Sequence, residues 1–154
     1  ISQIIQIEER NKIIIDKIEE YLLCGRKIIV LSERRKHCEY LIENLSLDIK
    51  NKYSHGLYMG GMKQKILQEN EKCDVIFATY SLAHEGLDIP TLNTLIMATP
   101  KSDVVQSSGR ILREAGQRLK SPLIFDIVDT YASLIGQSKK RKAFYKVSGF
   151  NILT

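Results

Sequence analysis

The residues best suited to chemistry lie at 106–113, where the sequence reads Gln-x-x-Gly-Arg-x-x-Arg. Arg110 and Arg113 are three residues apart, so on a helix they share one face with Gln106. Each guanidinium presents a planar fork of donors that fits phosphate oxygens, and Gly109 permits close approach of the backbone. The pattern suits neutralisation of charge on a transferring phosphoryl group. Taken alone, it also fits a solvated helix face that contains a glycine.

A second group of candidate residues lies upstream, directly after an apolar run that ends at Thr79. Thr79 at a strand end can bind a backbone phosphate, Gly86 can let the main chain approach a ligand, and Asp88 can accept from a ribose hydroxyl. The segment 85–90 reads Glu-Gly-Leu-Asp-Ile-Pro, which taken alone is ordinary turn chemistry.

The elements that must position these residues alternate between strand and helix. The strands are apolar without alternation, which is typical of a parallel sheet covered on both faces. We therefore predict an α/β domain with three layers, in which a central, mainly parallel sheet has helices on both faces. In such sheets, ligand-binding residues gather beyond the carboxyl ends of the strands. The predicted strands are 27–32, 57–59, 74–79, 94–98 and 122–128, and the predicted helices are 10–23 (with Gly25 as its stop), 33–45, 62–70, 102–114 and 131–145.

The charge is distributed unevenly along the 154 residues, which carry 23 Lys plus Arg and 18 Asp plus Glu. We expect a single domain over residues 1–154, in which 130–154 form a basic C-terminal helix and tail. The basic run 139–142 can contact DNA, form the solvated face of the helix or act as an import signal. A charge confined to one tail is weak evidence for nucleic acid. The net charge of +5 comes from the basic residues after Asp129: Lys139, Lys140, Arg141, Lys142 and Lys146.

The spacing of the three cysteines indicates a reducing compartment. Cys24, Cys38 and Cys73 are far apart, and no Cys-x-x-Cys pair occurs. We expect the cysteines to be small buried hydrophobic residues in a reducing, intracellular compartment, and we expect neither a metal site nor a disulfide framework.

No apolar run approaches the roughly 18 residues of a membrane span, so no membrane partner is expected. Because the chain begins at Ile1, we expect it to be a fragment of a longer protein.

In combination, the segments 78–90 and 106–113 resemble motifs V and VI of superfamily 2 helicases, in the same order and with similar spacing. Residues 27–41 are similar to motif IV, and 60–63 (Gly-Gly-Met-Lys) resemble a short motif that touches a nucleic-acid backbone. The resemblance covers roughly residues 10–129 and implies a second, C-terminal RecA-like lobe. Motif VI opens with Gln106 and departs from the DEAD-box form. With the strand and basic helix after residue 122, the chain resembles phage-type DNA helicases and transcript-release helicases of large DNA viruses.

The resemblance implies three sets of contacts. In the catalytic set, Arg113 would be the arginine finger and Arg110 a second contact to the γ-phosphate. The residues that would face the nucleotide are Gln106, Gly109, Gly86 and Asp88. The residues that would bind nucleic-acid phosphates, independently of base sequence and with strong salt dependence, are Ser32, Gly61, Lys63 and Thr79.

The implied cofactor is ATP with Mg²⁺, bound mainly by the N-terminal RecA-like lobe of the same protein. This chain has no phosphate loop and no Asp-Glu box, so we expect no ATP hydrolysis from it alone. The implied partner is nucleic acid, DNA rather than RNA, in host cytoplasm or virion if the source is viral. The alternatives are an RNA helicase lobe, a non-catalytic nucleic-acid-binding module on a degenerate helicase lobe, and a nucleotide-sugar transferase, which would leave 106–113 unexplained.

Overall fold

Strands and helices alternate along residues 1, 3–84, 87, 89–101 and 121–153, the part of the chain that this computed structural model describes. The strands are β1 (Ile28–Ser32), β2 (His55–Tyr58), β3 (Val75–Thr79), β4 (Thr94–Met97) and β5 (Leu123–Asp126). The helices, after a 3-10 turn at Ile4–Gln6, are α1 (Glu8–Leu23), α2 (Arg35–Glu43), α3 (Leu47–Lys52), α4 (Gln64–Asn70), α5 (Tyr80–His84) and α6 (Ala132–Val147). The predicted helix 102–114 lies outside the described residues.

The five strands form one sheet in the order β2-β3-β1-β4-β5, and every described pairing is parallel. In this register Ser32 lies opposite Thr79, and Leu31 lies opposite Met97. All the carboxyl ends of the strands therefore meet at one edge of the sheet.

The sheet has a hydrophobic core on each face, because successive residues of a buried strand point to opposite sides. Ile28 and Val30 of β1 pack with α1, α2 and α3. Ile29 and Leu31 of the same strand pack with α5 and α6. This arrangement confirms the predicted three-layer α/β class.

Helix α1 follows its sequence pattern closely. Ile14, Ile18 and Leu22 are buried at intervals of four residues. After the helix, Gly25 has φ +80, a left-handed conformation that glycine adopts without strain, and its N–H donates to the Leu22 carbonyl. The helix thus ends just before Gly25, as the sequence predicted.

The structure contains two helices that the periodicity did not predict, α3 and α5. Helix α3 begins after Ser46, whose hydroxyl accepts a hydrogen bond from the Ile49 N–H at 3.4 Å. Each of these helices is only five or six residues long, which is too short for an apolar repeat to show. A second difference is the start of α2, which begins at Arg35 rather than at residue 33 because the chain after β1 is still extended at Arg34.

The described helices include none that is both long enough and apolar enough to cross a membrane. The cysteines are free thiols in different surroundings: Cys38 is buried, Cys73 is half-buried and Cys24 is exposed. The expectation of small buried residues therefore holds for Cys38 and is wrong for Cys24, which follows the last turn of α1 at the surface.

Candidate nucleic-acid interface

The carboxyl edge of the sheet brings together two residues for which we predicted phosphate contacts. Ser32 ends β1, Thr79 ends β3, and the two are register partners in neighbouring strands. The sequence placed each of them at a strand end, and the strand order places them side by side. The edge is therefore the place where the described candidate residues converge.

Ser32 is fully buried, and its hydroxyl has internal partners. Its Oγ accepts from the Arg34 N–H at 3.2 Å and lies 2.9 Å from Nδ1 of His37. The opposite ring nitrogen of His37 lies 2.7 Å from Oδ1 of Asn11, whose amide N–H donates to the Ile5 carbonyl. Because Oδ1 only accepts, His37 carries its proton on Nε2 and accepts from Ser32 at Nδ1. A phosphate contact by Ser32 stays a prediction.

The imidazole of His37 is held neutral. Burial, with a smaller contribution from the nearby Arg10 charge, lowers its pKa from 6.5 to about 4. A neutral ring can both donate to Asn11 and accept from Ser32, which the imidazolium cannot do. The His37 ring therefore links α1 to the end of β1 through its hydrogen bonds to Asn11 and Ser32.

Thr79 has a different environment from Ser32. It is 8% exposed, and its Oγ1 lies 3.2 Å from the hydroxyl of Ser81, which is itself exposed. This pair of hydroxyls borders the solvent at the carboxyl end of β3. Thr79 is thus better placed than Ser32 to reach a ligand at this edge, and its phosphate contact stays a prediction.

The glycine turn after β2 also lies at this edge. Gly61 has φ +86, which favours glycine, and an added Cβ at Gly60 or Gly61 would meet nothing within 4 Å. The main chain is therefore open to a ligand at both positions. Lys63, the residue before α4, is exposed. The sequence did not single out exposed Arg35, whose Nη1 donates to the Gly60 carbonyl at 3.3 Å.

A cleft of about 340 Å³ lies between the glycine turn and the segment that follows β3. One wall carries Gly60, Gly61 and Gln64, and the other carries Leu82 and Leu87. The cleft thus joins the 60–63 motif to the described part of the 85–90 segment, two motifs that are about 25 residues apart in sequence. Its remaining lining residues are Tyr58, Met59 and Leu67.

Thr99, just beyond β4, is a second point of convergence at the same edge. Its Oγ1 accepts from the Glu33 N–H at 2.9 Å, and its carbonyl oxygen accepts from the Tyr80 hydroxyl. Burial raises the pKa of Tyr80 above its usual range, so the phenol remains a donor. Lys101 forms an ion pair with Glu33 at 2.9 Å.

Two buried arginines pair with the carboxylates of the 125–129 segment. Arg10 donates to both carboxylate oxygens of Asp129 at 2.8 and 2.9 Å, and it also bonds the Ala98 carbonyl. Arg141 donates to both oxygens of Asp126 at 2.7 and 2.8 Å. The sequence carried a signal for the first pair, since Arg10 lies four residues before Ile14 on the buried stripe of α1.

One residue of the basic run 139–142 is buried, which corrects the expectation that the whole run is available to a ligand. Arg141 is not a surface residue: it is 1% exposed and forms the ion pair with Asp126. Lys139, Lys140 and Lys142 of the same run are exposed. The tail therefore presents fewer charges to a ligand than the sequence suggested, because one of them holds α6 against the sheet.

Among the described residues, no group of three or more His, Cys, Asp or Glu is arranged to hold a metal ion.

The predicted nucleotide-facing and catalytic residues that lie outside the described part of the chain are Gly86, Asp88, Gln106, Gly109, Arg110 and Arg113.

Comparison with known proteins adds the family context. Residues 9–115 match the family model described as the helicase conserved C-terminal domain. The fold is similar to the crystal structure of T4 UvsW, with a TM-score of 0.71 at 21% identity over 99% of this chain and 35% of that one.

The chain is also similar to proteins of large DNA viruses. The chain is 37% identical, over 99% of its length, to the candidate ATP-dependent RNA helicase L396 of Acanthamoeba polyphaga mimivirus. It is 32% identical, over 70% of its length, to the transcript termination protein A18 of fowlpox virus. The chain spans only 29% and 25% of the lengths of these two relatives.

Proposed function

Since this chain belongs to the helicase conserved C-terminal domain family, we propose that it is the C-terminal lobe of an ATP-dependent superfamily 2 helicase or translocase. The observation that carries the proposal is the convergence at one edge of a parallel sheet of Thr79, the Gly60–Gly61 turn and the cleft between that turn and the segment after β3. The edge offers hydroxyls, open main chain and the exposed cations Arg35 and Lys63. These are the groups that hold a phosphate backbone.

The proposed nucleic-acid grip is independent of base sequence. Main-chain N–H groups, hydroxyls and cations recognise phosphate oxygens, and these carry no base information. The contribution of Lys63 and Arg35 should weaken with added salt, because counterions released from the strand drive such binding. This grip lets one lobe step along a strand of any sequence.

The ATP site is proposed to be shared between two lobes. Arg113 serves as the arginine finger, and Arg110 makes a second contact to the γ-phosphate, where positive charge stabilises the transferring phosphoryl group. Gln106, Gly109, Gly86 and Asp88 face the nucleotide. The N-terminal lobe supplies the phosphate cradle and the carboxylate for Mg²⁺, since this sequence contains neither motif. Mg²⁺ held there would supply positive charge that offsets the charge of the phosphates.

DNA is the proposed strand, because segment 85–90 and the strand and basic helix after residue 122 resemble those of DNA-directed helicases, and because 106–113 departs from the form typical of DEAD-box RNA helicases. RNA is the second candidate, which the name of the mimivirus relative favours. The fowlpox relative is named for transcript termination, a process in which both nucleic acids are present. The proposed contacts to the phosphate backbone fit DNA and RNA alike.

The test is ATP hydrolysis by the full-length protein, measured alone and with single-stranded DNA or RNA of the same sequence. We expect stimulation by nucleic acid, larger with DNA, and its loss in Arg110→Ala. Lys12→Ala serves as the control, because it removes an exposed cation of α1 that is not among the proposed contacts. A protein that binds nucleic acid but never hydrolyses ATP would support the non-catalytic module instead. Larger stimulation by RNA would favour the second candidate.

A further inference from the structure

The cleft beside the glycine turn has one polar wall and one apolar wall. The polar wall consists of main chain at Gly60 and Gly61 and of the exposed residue Gln64. The opposite wall consists of Leu82 and Leu87, which are half-buried. A ligand that matches both walls must itself have a polar side and an apolar side.

The apolar part of the cleft is supported by the protein core. Leu87 and Tyr58, which also lines the cleft, pack against the core cluster on one face of the sheet. Met59 is fully buried and Leu67 is 9% exposed, so the cleft reaches only their edges. Burial raises the pKa of Tyr58, so its phenol is uncharged at neutral pH. The fold therefore leaves an uncharged, largely apolar surface accessible beside the glycine turn.

The charges around the cleft favour a polyanion. Nη1 of Arg35 donates to the carbonyl of Gly60 at 3.3 Å, and exposed Lys63 follows the glycine turn. None of the described residues that line the cleft carries a carboxylate. A second cleft, of about 330 Å³, is lined by three carboxylate residues: Glu8, Asp16 and Glu19. Of these two clefts, only the one at the sheet edge suits a nucleic-acid strand.

An unpaired base is the part of a strand that fits the apolar wall. Each nucleotide joins a charged phosphate to an uncharged planar base, and a side chain can pack on the base face with little regard to base identity. The volume of the cleft, about 340 Å³, lies within the range of small-ligand sites. The amide of Gln64 can both donate and accept, so it can bond the polar edge of any base.

We propose that the cleft takes one unstacked base of the bound strand, while the phosphate beside that base lies at the glycine turn. This inference rests on the proposed function and adds a base subsite to its backbone grip. Leu82 and Leu87 contact the base face, so the subsite detects the presence of a base and not its identity. Binding therefore stays independent of base sequence.

Abasic DNA tests the inference, because it keeps the phosphates and sugars and lacks the bases. In the full-length protein we would measure, by fluorescence anisotropy, the affinity for single-stranded DNA and for an equally long strand of stable abasic units. Leu82→Ala should lower the affinity for normal DNA at least about fivefold, the lower end for loss of a stacked base contact. Its affinity for the abasic strand should match that of wild type, since that strand has no base to contact Leu82.

Ile66→Ala is the matched control. Ile66 is 41% exposed on α4 and does not line the cleft, so this variant removes apolar surface outside the subsite. It should bind both strands as wild type does. Wild-type affinity of Leu82→Ala for normal DNA, an equal loss for both strands, or an equal loss in Ile66→Ala would overturn the inference.

Photocrosslinking of the wild-type protein keeps the inference testable should Leu82→Ala fail to fold. Single-stranded DNA that carries 5-iodouracil in place of thymine bonds on irradiation to side chains that touch the base. We expect a crosslinked peptide that contains Tyr58, the aromatic residue among the described lining of the cleft. Crosslinks found only outside the cleft would contradict the inference.

Failure of the proposed function would look different. If the full-length protein bound neither strand, the proposed function would fall and the base subsite with it. If Leu82→Ala bound both strands as tightly as wild type, the backbone grip would stand and only the base subsite would fall.

Discussion

Arg141 and Asp126 form a bidentate ion pair between α6 and the end of β5, with N–O distances of 2.7 and 2.8 Å. The arginine side chain is 1% exposed and the aspartate side chain 15%. A third donor, the Tyr145 hydroxyl, also reaches the Asp126 carboxylate. This pair attaches the basic C-terminal helix to the sheet, and it places a cation of the basic run inside the protein.

Removal of one partner of this pair should be costly. In Asp126→Asn the guanidinium would remain buried without its counter-charge, a situation that typically costs about 3–5 kcal/mol. Lys142→Ala, one position from Arg141, removes an exposed cation and should change the free energy of unfolding by less than about 0.5 kcal/mol. Urea unfolding of both variants measures the difference. A similar small loss in both would show that the pair does not anchor α6.

The stability of the domain should fall in mild acid because of His37. Its pKa is 6.5 in the unfolded chain and about 4 in the folded protein, so between these values the unfolded state binds the extra proton. The group's contribution is complete above pH 6.5 and is lost as the pH falls toward 4, by up to about 3 kcal/mol.

The measurement is urea unfolding of wild type and His37→Phe at pH 7, 5.5 and 4.5. The variant loses the hydrogen bonds to Ser32 and Asn11, so it should be less stable at pH 7. Its disadvantage should shrink as the pH falls, because it has no ring to protonate. A constant difference across the three pH values would show that His37 is not the titrating group.

Nucleic-acid affinity should depend on Lys63 through salt. Lys63→Ala in the full-length protein removes one phosphate contact, so the slope of log affinity against log salt should become shallower by about 0.7 on a single strand. The loss should be the same for different base sequences. Lys12→Ala is the control, because Lys12 is an exposed cation on α1 paired with Asp16. If both variants give the same slope as wild type, Lys63 is not a phosphate contact.

Arg113→Ala should separate ATP binding from hydrolysis. An arginine finger stabilises charge that develops only in the transition state, so hydrolysis by the full-length protein should fall by a factor on the order of 10³. Binding of a fluorescent ATP analogue should remain close to wild type. Near-normal turnover would refute the finger assignment, and lost binding would give Arg113 a role in the ground state.

The strands and the long helix α1 could be predicted because their signals are local. An apolar run such as 75–79 and the spacing of Ile14, Ile18 and Leu22 depend on residues close together in the chain. Thr79 and Gly61 could be proposed as site residues for the same reason, since Thr79 ends a readable strand and Gly61 lies in the turn after another. The short helices α3 and α5 gave no such signal, because they contain fewer than two turns.

The sequence by itself determined that strands alternate with helices and that candidate phosphate-binding groups follow the strands. Only the tertiary structure decided which of these groups become neighbours. Strand order places Ser32 beside Thr79, and it brings Tyr80 within hydrogen-bond distance of Thr99 across β1. Packing of α6 against the sheet buries Arg141, which the sequence suggested would be a surface charge. These outcomes depend on contacts between residues distant in sequence, whose energies arise only when the layers pack together.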